Sequence, residues 1–476
     1  MRILIPCLYA SYGRYITRYR AFPYDVDCLK LSERRILLTT YDVAKDKLVK
    51  AAKVIGNAIA ELHPHGDQAC FSVLQTLVDR GFIKGEGNWG TRGLEDSNAA
   101  AYRYVECKLE PWIRKFAFEY INYVSWENFE FADEPLALPA PLPLGLIGSG
   151  LTTGIAFHKA LIPRYKSSAL AKRLNWLLSN PKPTLEYDND SDLDPLKYGP
   201  VISPYVYDCT VKECSKNQFY NIIINGFGRI KTLPNGKIEK GYILIKGRSP
   251  NSSFTQLVNA CSDERKKDTK KEFLDVRIVD KSKKDIDIKI IPYGKITNLN
   301  DLFLKIWSKY LIEEFNISNI ISDKDGQVSQ LGVDDILLNN YAYWRHSVFN
   351  KRLEDCIKAN KDKVVAHIIK LIRGIISKHN VKKVDDIITH FNTGTALFVP
   401  IEEYCFTSFT WKQTTTLVKE EDIREVCAKS SIKKLIEVDI DMQVIDQNIQ
   451  DCRKILSLLD TDCQNVVLNL TTEDLV

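Results

Sequence analysis

Tyr104, with Arg103 beside it, is the residue pair in this sequence best equipped to attack a phosphate ester. A free phenol has a pKa of about 10 and is mostly protonated at neutral pH. An adjacent cation favours the phenolate and lowers that value by about one to three. The same cation stabilises charge building on a phosphate oxygen, and a guanidinium does so through two parallel hydrogen bonds that an ammonium cannot copy. Arg20 and His65 would add positive charge if the fold brings them to the same place. On local sequence alone, Tyr102 and Tyr104 read equally as half-buried aromatics. The surrounding segments therefore matter: Arg20-Ala21-Phe22-Pro23 with Asp27-Cys28-Leu29-Lys30 and Arg34-Arg35-Ile36-Leu37, the turn His63-Pro64-His65-Gly66-Asp67, and Gly85-Glu86-Gly87-Asn88-Trp89-Gly90 leading into Ala99 to Glu106.

The elements that must position these residues are legible from periodicity. Leu48, Ala51, Ala52, Ile55, Ile59 and Leu62 fall on one stripe at helical spacing, with Lys47, Lys50 and Lys53 on another face. Pro64 and Gly66 break that helix, and Asp67 can cap the next one, whose apolar residues include Phe71, Leu74 and Leu77. Helix, tight turn, helix is a geometry by which many proteins enter a DNA groove, although most helical hairpins do nothing of the kind. Beyond residue 130 a proline-rich stretch introduces strand-like runs such as Tyr220 to Ile224 and Tyr242 to Ile245. The charged run 263–272 reads as a solvated face. From about 332, Ile336, Leu337, Tyr341, Trp344, Val348, Leu353, Ile357, Ile368, Leu371 and Ile375 mark a long helix. A second run, Ile432 to Leu459, can return antiparallel to it. The pattern fits a coiled-coil hairpin and equally two helices of a compact bundle.

A chain of 476 residues predicts roughly two to four domains. Apolar content of 45% supplies a large core, and no uninterrupted apolar run is long enough for a membrane span. No signal peptide is read at the start. The net charge of +5 is too small to identify a polyanionic partner, so the placement of the basic residues has to decide. The 12 cysteines are scattered singly without a C-x-x-C pair or zinc spacing, which points to reduced thiols in an intracellular compartment. There is no P-loop and no acidic cluster of the D-x-D sort in a plausible place, so no metal ligand is expected in this chain.

Taken in order, the segments resemble the breakage-reunion (A) subunit of bacterial-type IIA topoisomerases, the gyrase A and topoisomerase IV A family. The family pattern G-R-A-L-P-D-x-R-D-G-L-K-P-x-x-R-R-x-L stands here as Tyr19 to Pro23, Asp27 to Lys30 and Arg34 to Leu37 at matching spacing. H-P-H-G-D is intact at 63–67, G-N-[FW]-G at 87–90, and A-A-x-R-Y-x-E at 100–106. The resemblance implies an α+β multidomain fold: a winged-helix DNA-cleavage domain over 1–125, a strand-rich tower with a DNA-bending wedge over 126–330, and a coiled-coil and C-gate dimerisation domain over 331–476.

It also implies roles. Tyr104, not Tyr102, becomes the nucleophile that forms a 5′-phosphotyrosyl link, with Arg103 as phosphate ligand and Arg20 supplied from the opposite protomer. His65 and His63 would lie near the scissile phosphate. Lys30, Arg34, Arg35, Lys50 and Lys53 become DNA-backbone contacts, and Ile155 in Gly150 to Ala156 becomes the wedge that opens a base step. Mg²⁺ and ATP would be held by a separate B-type subunit in an A2B2 assembly acting on double-stranded DNA, in a bacterial cytoplasm or nucleoid or at a site of viral DNA replication. Relaxation and decatenation are expected, since no wrapping domain is read after the second long helix. Three departures stand out. Tyr24, Val26 and Cys28 replace the family's aspartate, arginine and glycine, which leaves room for a different loop geometry. Gln68 and Ser72 replace the serine and acid that anchor quinolones, which implies weak sensitivity to those drugs. Two other classes remain on the sequence: an architectural DNA-binding protein that has lost cleavage, which the retained tyrosine, arginines and histidines oppose, and a tyrosine recombinase, which would carry its tyrosine near the chain's end.

Overall fold

The structure is a computed structural model that describes residues 4–64, 66–90, 99–129, 132–147, 151–155, 158–162, 165, 167–180, 227–232, 235–239, 242–246, 273–280, 287–292, 313–394, 396–405, 408 and 410–470. The chain divides into two compact units, residues 1–344 with 464–476 and residues 345–463. Helix and sheet are mixed, as the sequence predicts.

In the first unit, helix α1 (Leu4–Ile16) runs into a π-helical turn, Thr17–Ala21, that carries Arg20. Helix α2 (Leu31–Ala44), strand β1 (Val49–Lys50), helix α3 (Ala51–Asn57) and helix α4 (Asp67–Asp79) follow, then strands β2 (Ile83–Glu86) and β3 (Glu106–Leu109) and helix α5 (Pro111–Phe118). The strands form one antiparallel sheet in the order β1-β3-β2, with Val49 opposite Cys107 and Ile83 opposite Leu109. Leu29, Ile36, Leu37, Val54, Ile55, Leu74, Leu77, Phe82, Cys107 and Ile113 close a core beneath these elements. The apolar stripe of α3 differs from the expected one. Val49 and Lys50 are drawn into the sheet, so the helix starts at Ala51, and a π turn at Ala58–Leu62 widens its end. Val54 and Ala58 are consequently buried, and Leu48 is exposed. Gly66, not Asp67, takes the cap position of α4, and Asp67 sits in its first turn, where a carboxylate favours the helix dipole.

The hairpin of β4 (Trp126–Phe129) and β5 (Ala132–Pro135) brings Glu134 into the core. Strands β6 (Leu151–Ile155) and β7 (His158–Ile162) pair as a second hairpin within a sheet of order β6-β7-β13-β8, where β8 is Phe227–Thr232 and β13 is Glu313–Ser318. A further sheet has the order β11-β12-β10-β9, where β9 is Asn235–Glu239, β11 is Phe273–Asp280 and β12 is Asp287–Pro292, and its β10 (Tyr242–Lys246) is the strand expected at Tyr242 to Ile245. The strand expected at 220–224 and the charged run 263–272 lie outside the described residues. A short hairpin, β14 (Ile320–Ser322) and β15 (Val328–Gln330), precedes the long helix Val333–His379.

The second unit takes most of that helix. Arg373 donates to the carbonyls of Leu435 and Val438, Lys363 lies 2.8 Å from Asp446, and Arg345 pairs with Asp460, so the return leg runs antiparallel to the helix. The return is not the single run expected from 432 to 459. It is broken into Ile432–Glu437, Met442–Ser457 and Leu459–Leu468, and Asp441 caps the middle piece by accepting from the N–H groups of Gln443 and Val444. Between the legs, the hairpin Phe398–Cys405/Thr410–Leu417 is fixed to the long helix by Asn360, whose amide exchanges two hydrogen bonds with the Glu402 backbone at 2.9 and 3.0 Å. Cys356 faces inward where the stripe had placed Ile357, which is exposed.

Candidate active site

Tyr104 ends a turn over residues 102–104 that feeds β3, closed by the Tyr104 N–H donating to the Ala101 carbonyl at 2.9 Å. Tyr104 is 65% exposed, next to a buried Val105. The Arg103 guanidinium lies 4.7 Å from the centroid of the Tyr104 ring, and the nearby phenol raises the arginine's pKa. Among the described residues no carboxylate pairs with that cation, and the groups that act on its charge are the Tyr104 and Tyr102 phenols.

Tyr102 is employed differently. Its hydroxyl donates to Asp67 Oδ2 at 2.8 Å, and its ring packs edge-on against Phe71. The hydrogen bond to Asp67, together with that residue's negative charge, raises the Tyr102 pKa, so this phenol is held protonated. Two tyrosines that local sequence could not separate are separated by their partners.

The loop that carries the turn is anchored by Trp89. Its indole N–H lies 3.2 Å from the carbonyls of Glu86 and Glu106, which stitches β2 to β3 at the loop's base. A Cβ on Gly85 would meet the indole at 2.5 Å, so glycine is needed there for close approach. The Ala100 N–H donates to the Asn88 carbonyl at 2.8 Å, and Asn88 Oδ1 accepts from the Gly90 N–H. The G-N-W-G segment is therefore a brace for the loop that carries Tyr104.

The same unit holds a bed of buried ion pairs. Arg35, 1% exposed, pairs with Glu134 at 2.7 Å and places Nη1 at 3.1 Å from His63 Nδ1. A guanidinium has only donors, so Nδ1 accepts and the His63 ring proton sits on Nε2. Arg34 forms a bidentate pair with Asp27 at 2.8 and 2.9 Å. Asp27 also accepts from the N–H groups of Leu29 and Leu138, both at 3.1 Å. Arg80 pairs with Glu33 at 3.2 Å. The expectation that Arg34 and Arg35 touch a DNA backbone is therefore corrected. Both are buried and committed to carboxylates, and a phosphate cannot reach them without breaking pairs whose loss leaves a charge stranded in the core.

Cys28 stands in the left-handed region at φ +56° although it is buried and is not glycine. The departure from the family's glycine leaves the loop in a conformation that glycine would favour. The Cys28 N–H to Tyr24 carbonyl bond at 2.9 Å and the Asp27 contacts hold it there against a penalty of about 1–2 kcal/mol.

Arg20 is exposed, with its guanidinium 5.9 Å from the Tyr15 ring centroid. Lys30 is half-buried at the start of α2, where burial pulls its pKa down against the opposing pull of Glu33. Lys50 is exposed at 2.9 Å from Glu106, and Lys53 is exposed on α3. Ile155 ends β6, opposite His158. Gln68 and Ser72 are exposed on the first turns of α4. His65 lies outside the described residues. Sequence reasoning missed Asp27, Glu134 and the use of Tyr102. Asp27 carried a signal, since it lies seven residues before Arg34 across a helix start, whereas nothing local marks Glu134.

The acids adjoining the turn are already engaged, Asp67 by Tyr102 and the Gln68 N–H, and Glu106 by Lys50. No cluster of three metal-ligating side chains exists among the described residues. This chain's described donor set does not fit a resident Mg²⁺.

Residues 20–460 match the family of the A subunit of DNA gyrase/topoisomerase IV. The A subunit of DNA topoisomerase 4 from Haemophilus influenzae is 27% identical over 405 residues, which cover 80% of this chain and 51% of that protein. The same subunit of Escherichia coli K12 is 26% identical over 367 residues, 74% of this chain and 47% of that protein. That of Neisseria gonorrhoeae is 34% identical over 192 residues, 37% of this chain and 24% of that protein. The chain spans about half the length of the first two of these curated relatives.

Proposed function

Because the chain belongs to the family of DNA gyrase and topoisomerase IV A subunits, we propose that it is the DNA-cleaving subunit of a type IIA topoisomerase and that Tyr104 is its nucleophile. The observation that carries this is the exposed Tyr104 phenol under the Arg103 guanidinium, next to a Tyr102 already spent on Asp67. The Tyr104 oxygen attacks a DNA phosphorus in line. A P–O bond to tyrosine forms as the bond to the 3′ oxygen breaks, leaving a 5′-phosphotyrosyl link whose reversal reseals the strand. Arg103 binds the phosphate as charge builds on its oxygens. Arg20 from a second copy of the chain, and His65 and His63, complete the site.

The order helix, strand, helix, helix, strand, strand around the sheet β1-β3-β2 supports a winged-helix reading of the cleavage domain. Exposed Lys50 and Lys53 and half-buried Lys30 are assigned to backbone phosphates, and Ile155, near the tip of its hairpin, to the bending wedge. The antiparallel legs of the second unit support a coiled coil that ends in a dimer gate. Mg²⁺ and ATP are assigned to a B-type partner in an A2B2 assembly that relaxes and decatenates DNA inside the cell.

The test is to trap covalent adducts on a plasmid with the B subunit encoded by the same genome. Tyr104→Phe is expected to abolish adducts, and Tyr102→Phe to retain them. Adducts from Tyr104→Phe but none from Tyr102→Phe would overturn the assignment.

A further inference from the structure

Arg20 is exposed, yet the segment that carries it is fastened on both sides to one turn some 300 residues further along the chain. We infer that the turn between β14 and β15, residues 322–327, is the positioning element for Arg20. This rests on the proposed reading in which Arg20 serves the tyrosine of the other copy.

The turn is rigid in its own right. Asp323 Oδ1 accepts from the N–H groups of Asp325 and Gln327 at 2.9 and 2.8 Å, and the Gly326 N–H donates to the Asp323 carbonyl at 3.1 Å. It grips the Arg20 segment at two points. Before Arg20, the Thr17 hydroxyl donates to the Gly326 carbonyl at 2.6 Å. After it, the Ser322 N–H donates to the Pro23 carbonyl at 2.9 Å, and the Asp25 N–H donates to the Ser322 carbonyl at 3.1 Å. Ile16, Ala21 and Phe22 are buried, with Ile320 packed on them, so the residues flanking Arg20 are anchored while Arg20 itself is exposed.

Gly326 is the tightest point. At φ +75° it occupies a conformation that other residues adopt at a cost, and a Cβ there would lie 2.6 Å from the Arg14 carbonyl oxygen and 3.1 Å from Arg18 Cβ. Any side chain pushes the end of α1 away from the turn. The π-helical turn Thr17–Ala21 lies between the two grips, and widened turns of this kind recur at functional sites. A displacement near 1 Å at a phosphoryl-transfer site costs up to about 100-fold in rate, so a fixed mount matters for a long exposed side chain.

Mixed dimers test this, because the proposed site draws Tyr104 and Arg20 from different copies. In one arrangement, Gly326→Ala is placed in the copy that retains Tyr104, and the other copy carries Tyr104→Phe. In the second, Gly326→Ala and Tyr104→Phe share a copy. Single-strand cleavage is followed at saturating DNA with the B subunit, alongside DNA affinity. The second arrangement is expected to cut roughly 10- to 100-fold more slowly than the first, with unchanged affinity. Thr17→Val should give the same asymmetry if Gly326→Ala folds poorly, and Thr17→Ser, which keeps the hydroxyl, should recover most of the rate. Equal rates in the two arrangements for both Gly326→Ala and Thr17→Val would overturn the inference, since a purely structural defect does not distinguish them. Arg20→Ala run in the same format separates the two failures. If it shows no asymmetry, the assignment of Arg20 fails; if it does and the turn variants do not, the positioning role fails.

Discussion

The first unit holds two populations of cationic side chains that differ in almost everything except charge. Arg34, Arg35, Arg80 and Arg173 are at most 5% exposed and lie 2.7–3.2 Å from Asp27, Glu134, Glu33 and Asp334. Arg20, Arg103, Lys50 and Lys53 are exposed. The difference teaches that the Arg-Arg pair of the first motif is foundation, whereas the arginine of the tyrosine motif is left at the surface, where the proposed cleavage role needs it. A buried guanidinium keeps its charge only with a carboxylate at hand, and so spends its hydrogen bonds on architecture. An exposed one contributes little to stability, and solvent rather than a buried carboxylate carries most of its charge.

The largest expected effect comes from the buried side. Arg35→Ala strands the Glu134 carboxylate in the core and removes the donor that fixes the His63 ring. A loss of about 3–5 kcal/mol in unfolding free energy is expected, read by urea denaturation of the isolated chain. A loss below about 1 kcal/mol accompanied by a fall in DNA affinity would return Arg35 to the surface population and dissolve the contrast.

Arg103→Ala should behave in the opposite way. Cleavage at saturating DNA is expected to fall about 100- to 1,000-fold, the cost of removing one preorganised charge-stabilising donor. The unfolding midpoint should stay where it is, because the groups that act on the guanidinium's charge are the Tyr104 phenol and, more weakly, Tyr102. A variant that unfolds early but still cuts would mark Arg103 as structural.

How much of this was legible follows from what each residue depends on. The four motifs are contiguous, so their order and spacing could be read, and Tyr104 and Arg103 came with them. The helices α3 and α4 and the long helix were visible because their apolar periodicity is local. The fate of Arg34 and Arg35 was not, because it depends on Asp27 and Glu134, and Glu134 is 99 residues from Arg35 on a hairpin with no motif of its own. Tyr102 was passed over as the rejected neighbour, although its bond to Asp67 spans 35 residues and ties the Tyr104 loop to the start of α4. The start of α3 was misplaced because strand pairing with β3, a nonlocal contact, claimed Val49 and Lys50. Cys28 shows the converse. A non-glycine residue can stand at a glycine position of a motif when neighbouring hydrogen bonds hold the left-handed conformation.

Asp25 offers the finest test, since it lies in the same loop as Asp27 without an arginine of its own. Its Oδ1 has no hydrogen-bond partner among the described residues, and burial, then the charges of Asp323 and Asp27, push its pKa up to about 6 from an ordinary 3.8. The sign follows from linkage. Below about pH 3 the carboxyl is largely protonated whether the chain is folded or not. As pH rises towards 6 the unfolded chain releases that proton first, so the folded state loses stability across this window and then levels off. Asp25→Asn removes the titration. It should stabilise the chain above pH 6, by roughly 1 kcal/mol or less once solvent screening of a partly exposed group is allowed for, and should change little near pH 3. Paired melts of the two chains at pH 3 and pH 8 read the difference directly. Parallel curves at both values would mean that Asp25 titrates as a solvated acid, and the line between paired and unpaired buried charge in this loop would have to be redrawn.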